Sequence, residues 1–136
     1  MNMNDGVEHE KEFRCLIVED NINLAEIMTI FFERNGIVSD TAENGQQGLK
    51  IYLDNQSGYD VIFLDLQMPV MDGYELARLI RESGSMVSIV AMSGTYAGVA
   101  ENGGFNFFLK KPFEMRRLAE IINEVKEMDE PDKPCW

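Results

Sequence analysis

Four consecutive apolar residues, Val61, Ile62, Phe63 and Leu64, lie between a break at Gly58 and a loop, Gln67 to Gly73, that contains a proline. Successive side chains of a strand point to opposite faces, so a strand that is apolar throughout must be covered on both. Such strands belong to parallel sheets sandwiched between helices. The rest of the chain fits that constraint. Short apolar runs at Arg14–Val18, Ile37–Ala42, Val87–Met92 and Phe107–Leu109 alternate with segments of helical periodicity.

The helical segments carry their own start and stop signals. Asn21 can cap a helix in which Leu24, Ile27, Met28 and Phe31 recur at i, i+3, i+4 and i+7, and Asn35-Gly36 stops it. Asn44 can cap a second helix through about Leu53, with Leu49, Tyr52 and Leu53 inward. Tyr74–Glu82 reads as a third helix with Asp72 as its cap, and Pro112 opens a last one whose face holds Met115, Leu118, Ala119, Ile122 and Val125. Gly94, Gly98, Gly103 and Gly104 weaken any helix between the fourth and fifth strands. The order is β-α-β-α-β-α-β-(short α)-β-α. Parallel pairing through right-handed crossovers then predicts an α/β fold: a doubly wound five-stranded parallel sheet with helices on both faces.

The chain has 136 residues, enough for one domain whose core needs no disulfide or structural metal. We divide it into an acidic N-terminal segment (1–12), one domain (13–128) and an acidic tail (129–136). The 24 acidic residues against 12 basic ones, a net charge of −12, argue against non-specific nucleic-acid binding and against docking on an anionic membrane. No apolar run reaches the length of a spanning helix, and the N-terminus lacks the basic and apolar regions of a signal peptide, so a cytoplasmic protein is expected. Cys15 sits in an apolar run and reads as a buried core thiol; with Cys135 it makes no framework or metal motif.

Ligands of doubly wound sheets bind beyond the carboxyl ends of the strands. There the sequence places Glu19 and Asp20 after strand 1, Asp65 at the end of strand 3, Ser93 at the end of strand 4 and Lys110-Lys111-Pro112 after strand 5. Three carboxylates on one rim repel one another, and a hard divalent cation such as Mg²⁺, with its preference for oxygen ligands, relieves the repulsion. A lysine adds fixed positive charge and a serine adds a donor. Together these are the parts of a phosphoryl-transfer site with a carboxylate nucleophile. Taken singly, Asp20 and Asp65 read equally well as a helix cap and a loop acid, and Ser93 as an ordinary strand-end serine.

Val-Glu-Asp-Asn at 18–21, Leu-Asp-Leu-Gln-Met-Pro-Val-Met-Asp-Gly at 64–73, Met-Ser-Gly at 92–94 and Lys-Lys-Pro-Phe at 110–113 resemble the signatures of two-component response-regulator receiver domains. The resemblance covers about residues 13–128 and is closest in type to stand-alone, chemotaxis-regulator-like receivers. It implies a flavodoxin-like strand order 2-1-3-4-5. It implies Asp65 as phosphoacceptor and Mg²⁺ held by Asp20 directly, Glu19 mainly through water, Asp65 and the backbone carbonyl of Gln67. Ser93 would bond the phosphoryl group and Lys111, next to a cis Pro112, would pair with its oxygens. Phe108, three residues before Lys111, stands where the family carries its switch aromatic; the plainer reading is a strand-core aromatic. Lys110 reads as a solvated surface charge.

The implied partners are a histidine kinase or phosphotransfer protein as phosphodonor and a downstream protein target, with the chain a monomer or a phosphorylation-dependent dimer. The protein is not a turnover enzyme on this reading. With no module following residue 128, output is expected through protein contacts. Two departures stand out. Lys111 lies only 18 positions after Ser93, about one helical turn fewer than in most receivers, so the fourth helix is expected to be short or irregular. Gly94 replaces a common alanine and is expected to widen access to the site. Gln67 stands where a haloacid-dehalogenase-type phosphatase needs a second aspartate, and no hydroxyl-rich phosphate loop follows strand 1 as a flavodoxin would require. A phosphorylation-independent adaptor, or a receiver piece of a larger regulator or hybrid kinase, are the remaining alternatives.

Overall fold

A computed structural model of the chain describes residues 12–55, 58–95 and 104–128. Five strands, β1 (Arg14–Val18), β2 (Val38–Ala42), β3 (Val61–Asp65), β4 (Ser88–Ser93) and β5 (Phe107–Lys110), form one sheet. All pairings are parallel, in the order β2-β1-β3-β4-β5. The helices are α1 (Ile22–Arg34), α2 (Gly45–Asp54), α3 (Gly73–Glu82) and α4 (Met115–Met128). The expected doubly wound sheet and its strand order are both present. The expected fourth helix between β4 and β5 falls on residues 96–103, outside the described residues, as do most of the N-terminal segment and the acidic tail.

Alternation along the strands divides the core in two. Cys15, Ile17, Val61, Phe63, Val90 and Met92 face α1 and α4, where they meet Met28, Phe32, Leu118 and Ile121. Leu16, Val18, Ile62, Leu64, Ile89 and Ala91 face α2 and α3, where they meet Tyr52, Leu76 and Ile80. All five residues of β3 are buried, as its unbroken apolar run requires. Each such Leu, Ile or Phe side chain contributes roughly 1.5–3 kcal/mol when taken out of water.

The helix caps are those expected: Asn21, Asn44 and Asp72 accept from the backbone N–H groups of Leu24, Gln47 and Glu75. Three inward faces differ from expectation. On α1 the buried residues are Ala25, Met28 and Phe32, while Ile27 is 52% exposed. A small alanine, not a branched side chain, occupies the position nearest the sheet, and the apolar stripe is rotated accordingly. On α2 the buried residues are Gly45, Gly48 and Tyr52, and Leu53 lies 42% exposed. A Cβ on Gly48 would stand 2.9 Å from a methyl of Val18, so the missing side chain itself brings this helix onto β1. On α4, Ile121 joins the core where Ala119 was expected to share it, and the helix begins at Met115, with the Glu114 carbonyl accepting from Arg117, rather than at Pro112.

The loop from Leu66 to Asp72 is pinned against the end of β3. The Gly73 N–H donates to the Leu66 carbonyl at 3.2 Å, and the Gly45 N–H donates to the Met71 carbonyl. A Cβ on Gly73 would lie 2.5 Å from the Asp65 carbonyl and 2.9 Å from the Leu66 Cα. Only glycine lets α3 start this close to the strand that carries Asp65.

Candidate functional site

Strand β1 ends at Val18, and the chain is held onto β2 for one residue more by the Glu19 N–H donating to the Ala42 carbonyl. That bond buries Glu19, at 2% exposure, and leaves Asp20 at the solvent edge. Asp65 closes β3 at 5% exposure. Carboxylate oxygens of these three residues lie within 4.8 Å of one another, the one such acidic group among the described residues.

Lys111 enters from the edge strand. Its backbone N–H continues the β4–β5 ladder by donating to the Ser93 carbonyl at 2.7 Å, and its ammonium stands 2.8 Å from Glu19 Oε1 and 3.2 Å from Asp65 Oδ2. The Lys111–Pro112 bond is cis. Lys110, one residue earlier, is exposed and donates to the Gly94 carbonyl at 3.3 Å. Alternation therefore separates the two lysines, and Lys111 is the one that faces the acids.

Glu19 and Asp65 each also have a fixed backbone partner. The Asn21 N–H donates to Glu19 Oε2 and the Gln67 N–H to Asp65 Oδ1, both at 3.1 Å. Glu19 Oε1 is buried, and the Lys111 ammonium is its partner. Burial, reinforced by Asp65 and opposed by Lys111 and the Asn21 N–H, pushes the Glu19 carboxyl up to about 7. Burial works against the Lys111 charge, but the contacts to Glu19 and Asp65 outweigh it and hold the ammonium above its ordinary pKa. Three clustered carboxylates, all hard oxygen donors, fit a small divalent cation.

Ser93 is buried at the end of β4, where its hydroxyl accepts the Thr95 N–H at 3.1 Å. That hydroxyl also lies 3.4 Å from the Thr95 hydroxyl. A Cβ built on Gly94 meets open space, so packing does not require glycine there. Phe108 is half-buried and packs on the α2–α3 side of the sheet, next to the half-buried Phe105, whose ring meets Tyr74 edge-on at 5.8 Å.

Glu19, Asp20, Asp65, Ser93 and Lys111 thus all lie at the carboxyl end of the sheet, where β1 and β3 diverge to either side. Sequence reasoning missed the N–H groups of Asn21 and Gln67 as anchors of the acids. The Gln67 signal was legible, since an aspartate commonly accepts from the N–H two residues on. Among the described residues no helix is long and apolar enough to cross a membrane.

Comparison with known proteins agrees with this geometry. Residues 15–123 match the response regulator receiver domain family. Hybrid signal transduction histidine kinase K of Dictyostelium discoideum is 34% identical across 88% of this chain, which spans only 11% of that kinase. The chain superposes on the receiver domain of a Saccharomyces cerevisiae response regulator, solved in complex with the histidine phosphotransfer protein upstream of it, with TM-score 0.76 and 30% identity, covering 90% of this chain and 94% of that one. It also superposes on the receiver domain of a sensor histidine kinase of Pseudomonas aeruginosa, which has a magnesium ion coordinated in its active-site cleft, with TM-score 0.75 and 30% identity, covering 84% and 97%.

Proposed function

The chain belongs to the response regulator receiver domain family of two-component signalling, and from that premise we propose that it accepts a phosphoryl group on Asp65. The observation that carries this reading is the Lys111 ammonium shared between Asp65 and Glu19, within a cluster of three carboxylates at the end of the sheet. The donor is a phosphohistidine on a histidine kinase or phosphotransfer protein. An Asp65 carboxylate oxygen attacks phosphorus as the nitrogen–phosphorus bond breaks. The imidazole leaves with the bonding electrons and takes up a proton.

The chain's own groups divide the work. The Gln67 N–H holds Asp65 Oδ1 and so orients the carboxylate. Lys111 neutralises charge on the transferring oxygens, and the Ser93 hydroxyl donates to one of them. Asp20, Asp65, the Gln67 carbonyl and Glu19 would hold Mg²⁺, which would neutralise carboxylate and phosphoryl charge. Ser93 moving toward the phosphoryl group, with Phe108 following, biases the surface read by a downstream protein. Phe108 has no hydroxyl, so packing alone drives its part. The protein works in the cytoplasm, as a monomer or as a dimer formed on phosphorylation. Because the chain spans a tenth of the hybrid kinase it matches, the same chemistry within a larger kinase or regulator is the second reading.

Intact mass after incubation with Mg²⁺ and acetyl phosphate tests this, with Asp65→Asn alongside. One added phosphoryl group that needs Mg²⁺ and is absent from the variant is expected. A folded wild type that gains no mass and binds no beryllofluoride would instead be a phosphorylation-independent adaptor.

A further inference from the structure

We propose that Arg81 is a positioning residue for the phosphoryl site: it fixes the register of edge strand β5 and thereby the reach of Lys111. The inference rests on the reading of Asp65 and Lys111 given above.

Strand β5 has four residues and pairs only with β4, from Val90 opposite Phe107 to Ser93 opposite Lys110. With so few ladder hydrogen bonds, each of modest net worth, a strand this short is weakly specified by its own pairing. A slip of one residue moves it by about 3.3 Å and exchanges its two faces. The 2.8 and 3.2 Å contacts of the Lys111 ammonium survive no such slip. Something at the far end of β5 has to fix the strand.

That end is held by Asn106 and Arg81. The Asn106 N–H donates to the Ile89 carbonyl, and the Ile89 N–H donates to Asn106 Oδ1, both at 2.8 Å. The asparagine side chain thereby closes a reciprocal pair one residue beyond the ladder. Arg81, in the last turn of α3, sets this asparagine in place. Its guanidinium donates to the carbonyls of Ser85 at 3.1 Å and Val87 at 2.8 Å, twice to the Gly104 carbonyl at 3.2 and 2.8 Å, and to Asn106 Oδ1 at 2.9 Å.

All five donors of the fork are used, each on a neutral oxygen. A helix-end arginine that only capped its own turn would stop at Ser85 and Val87. Three of the five bonds go to Gly104 and Asn106, directly ahead of β5. Gly104 has φ +74°, and a Cβ there would stand 3.1 Å from Arg81 Nε, so glycine is what lets its carbonyl meet the fork. The guanidinium ties the start of β4 to the start of β5, and the Lys111 N–H ties their ends.

This geometry separates two properties of the site. Glu19, Asp20 and Asp65 belong to β1 and β3, which Arg81 does not touch. Lys111 belongs to β5. Arg81→Met, Arg81→Lys and Asn106→Ala are compared with wild type at a temperature where each is folded by circular dichroism. Mg²⁺ affinity is measured by calorimetry, and beryllofluoride affinity at saturating Mg²⁺ by fluorine NMR.

For Arg81→Met, Mg²⁺ affinity is expected to hold within about twofold, while beryllofluoride affinity falls roughly tenfold as Lys111 is misplaced. Asn106→Ala moves the same way, and Arg81→Lys recovers part of the loss. Equal beryllofluoride affinity in wild type and Arg81→Met overturns the proposal, as does a parallel loss of both affinities, which is general loosening. Asn106→Ala decides the matter by the same criteria if Arg81→Met does not fold. A folded wild type that binds no beryllofluoride refutes the phosphoacceptor reading instead, a result visible before any variant is compared.

Discussion

Asp20→Asn removes one of three clustered carboxylates without deleting a packed group. In the metal-free protein the substitution should stabilise the fold. Two unit charges at the 4.8 Å limit of this cluster interact by about 0.9 kcal/mol in bulk water and about 3.5 kcal/mol at an effective dielectric of 20. Asp20 is exposed, so the water limit is nearer, and at pH 8, where Glu19 is ionised as well, it is roughly 1 kcal/mol for each of its two like-charged neighbours. Lys111 offsets about one of the two, which leaves roughly 1 kcal/mol of repulsion relieved by the substitution. For a domain of this size that is a rise in Tm of about 3–5 °C in EDTA. With Mg²⁺ at ten times its Kd the wild type should gain about 1.4 kcal/mol, and the variant little or nothing. Thermal melts of both proteins, with EDTA and with Mg²⁺, read all four values. A variant that melts below wild type in EDTA, or that keeps the full Mg²⁺ increment, refutes the assignment of Asp20 as direct ligand.

Gly73→Ala forces a Cβ against the Asp65 carbonyl and should cost about 1–3 kcal/mol, read as a lower urea midpoint, with weaker Mg²⁺ binding because the displaced backbone carries Asp65. Cys15 is fully buried and burial pushes its thiol up, so in a Cys135→Ser background it should resist a thiol reagent at pH 8 until urea unfolds the chain. Burial, then a hydrogen bond to Asp40 and its charge, raises the Tyr59 phenol to about 12. A raised pKa stabilises the fold below the unfolded value near 10, and that stabilisation is lost as pH rises through about 12. Phenolate absorbance should show one tyrosine titrating late, and Asp40→Asn should bring it down.

Strand content and order were legible because the strands are unambiguous: β3 is apolar on both faces, and each strand ends in, or runs directly into, a polar residue that marks the rim. The helix faces were less legible. Hydrophobic periodicity gives weight to Ile27 and Leu53, yet the sheet is met by Ala25 and Gly48, whose value lies in lacking bulk. The site residues could be found because their side chains carry the chemistry. Of the supports, the Gln67 N–H was legible from Asp65 two residues before it, while the Asn21 N–H leaves no mark in residue identity. Arg81 and Asn106, twenty-five positions apart, form a pair only once α3, β4 and β5 are assembled.

The tie between Arg81 and the start of β5 bears on how such a chain can evolve. Because β5 is anchored to β4 at both of its own ends, the register of Lys111 does not depend on how many residues connect Ser93 to Gly104. Length changes in that connection then cost only loop-closure entropy, about 0.6 kcal/mol for each doubling. Insertions and deletions can accumulate there and reshape the surface shown to partners while the chemistry stays in place. The span of 18 positions from Ser93 to Lys111 is what a history of such drift would leave.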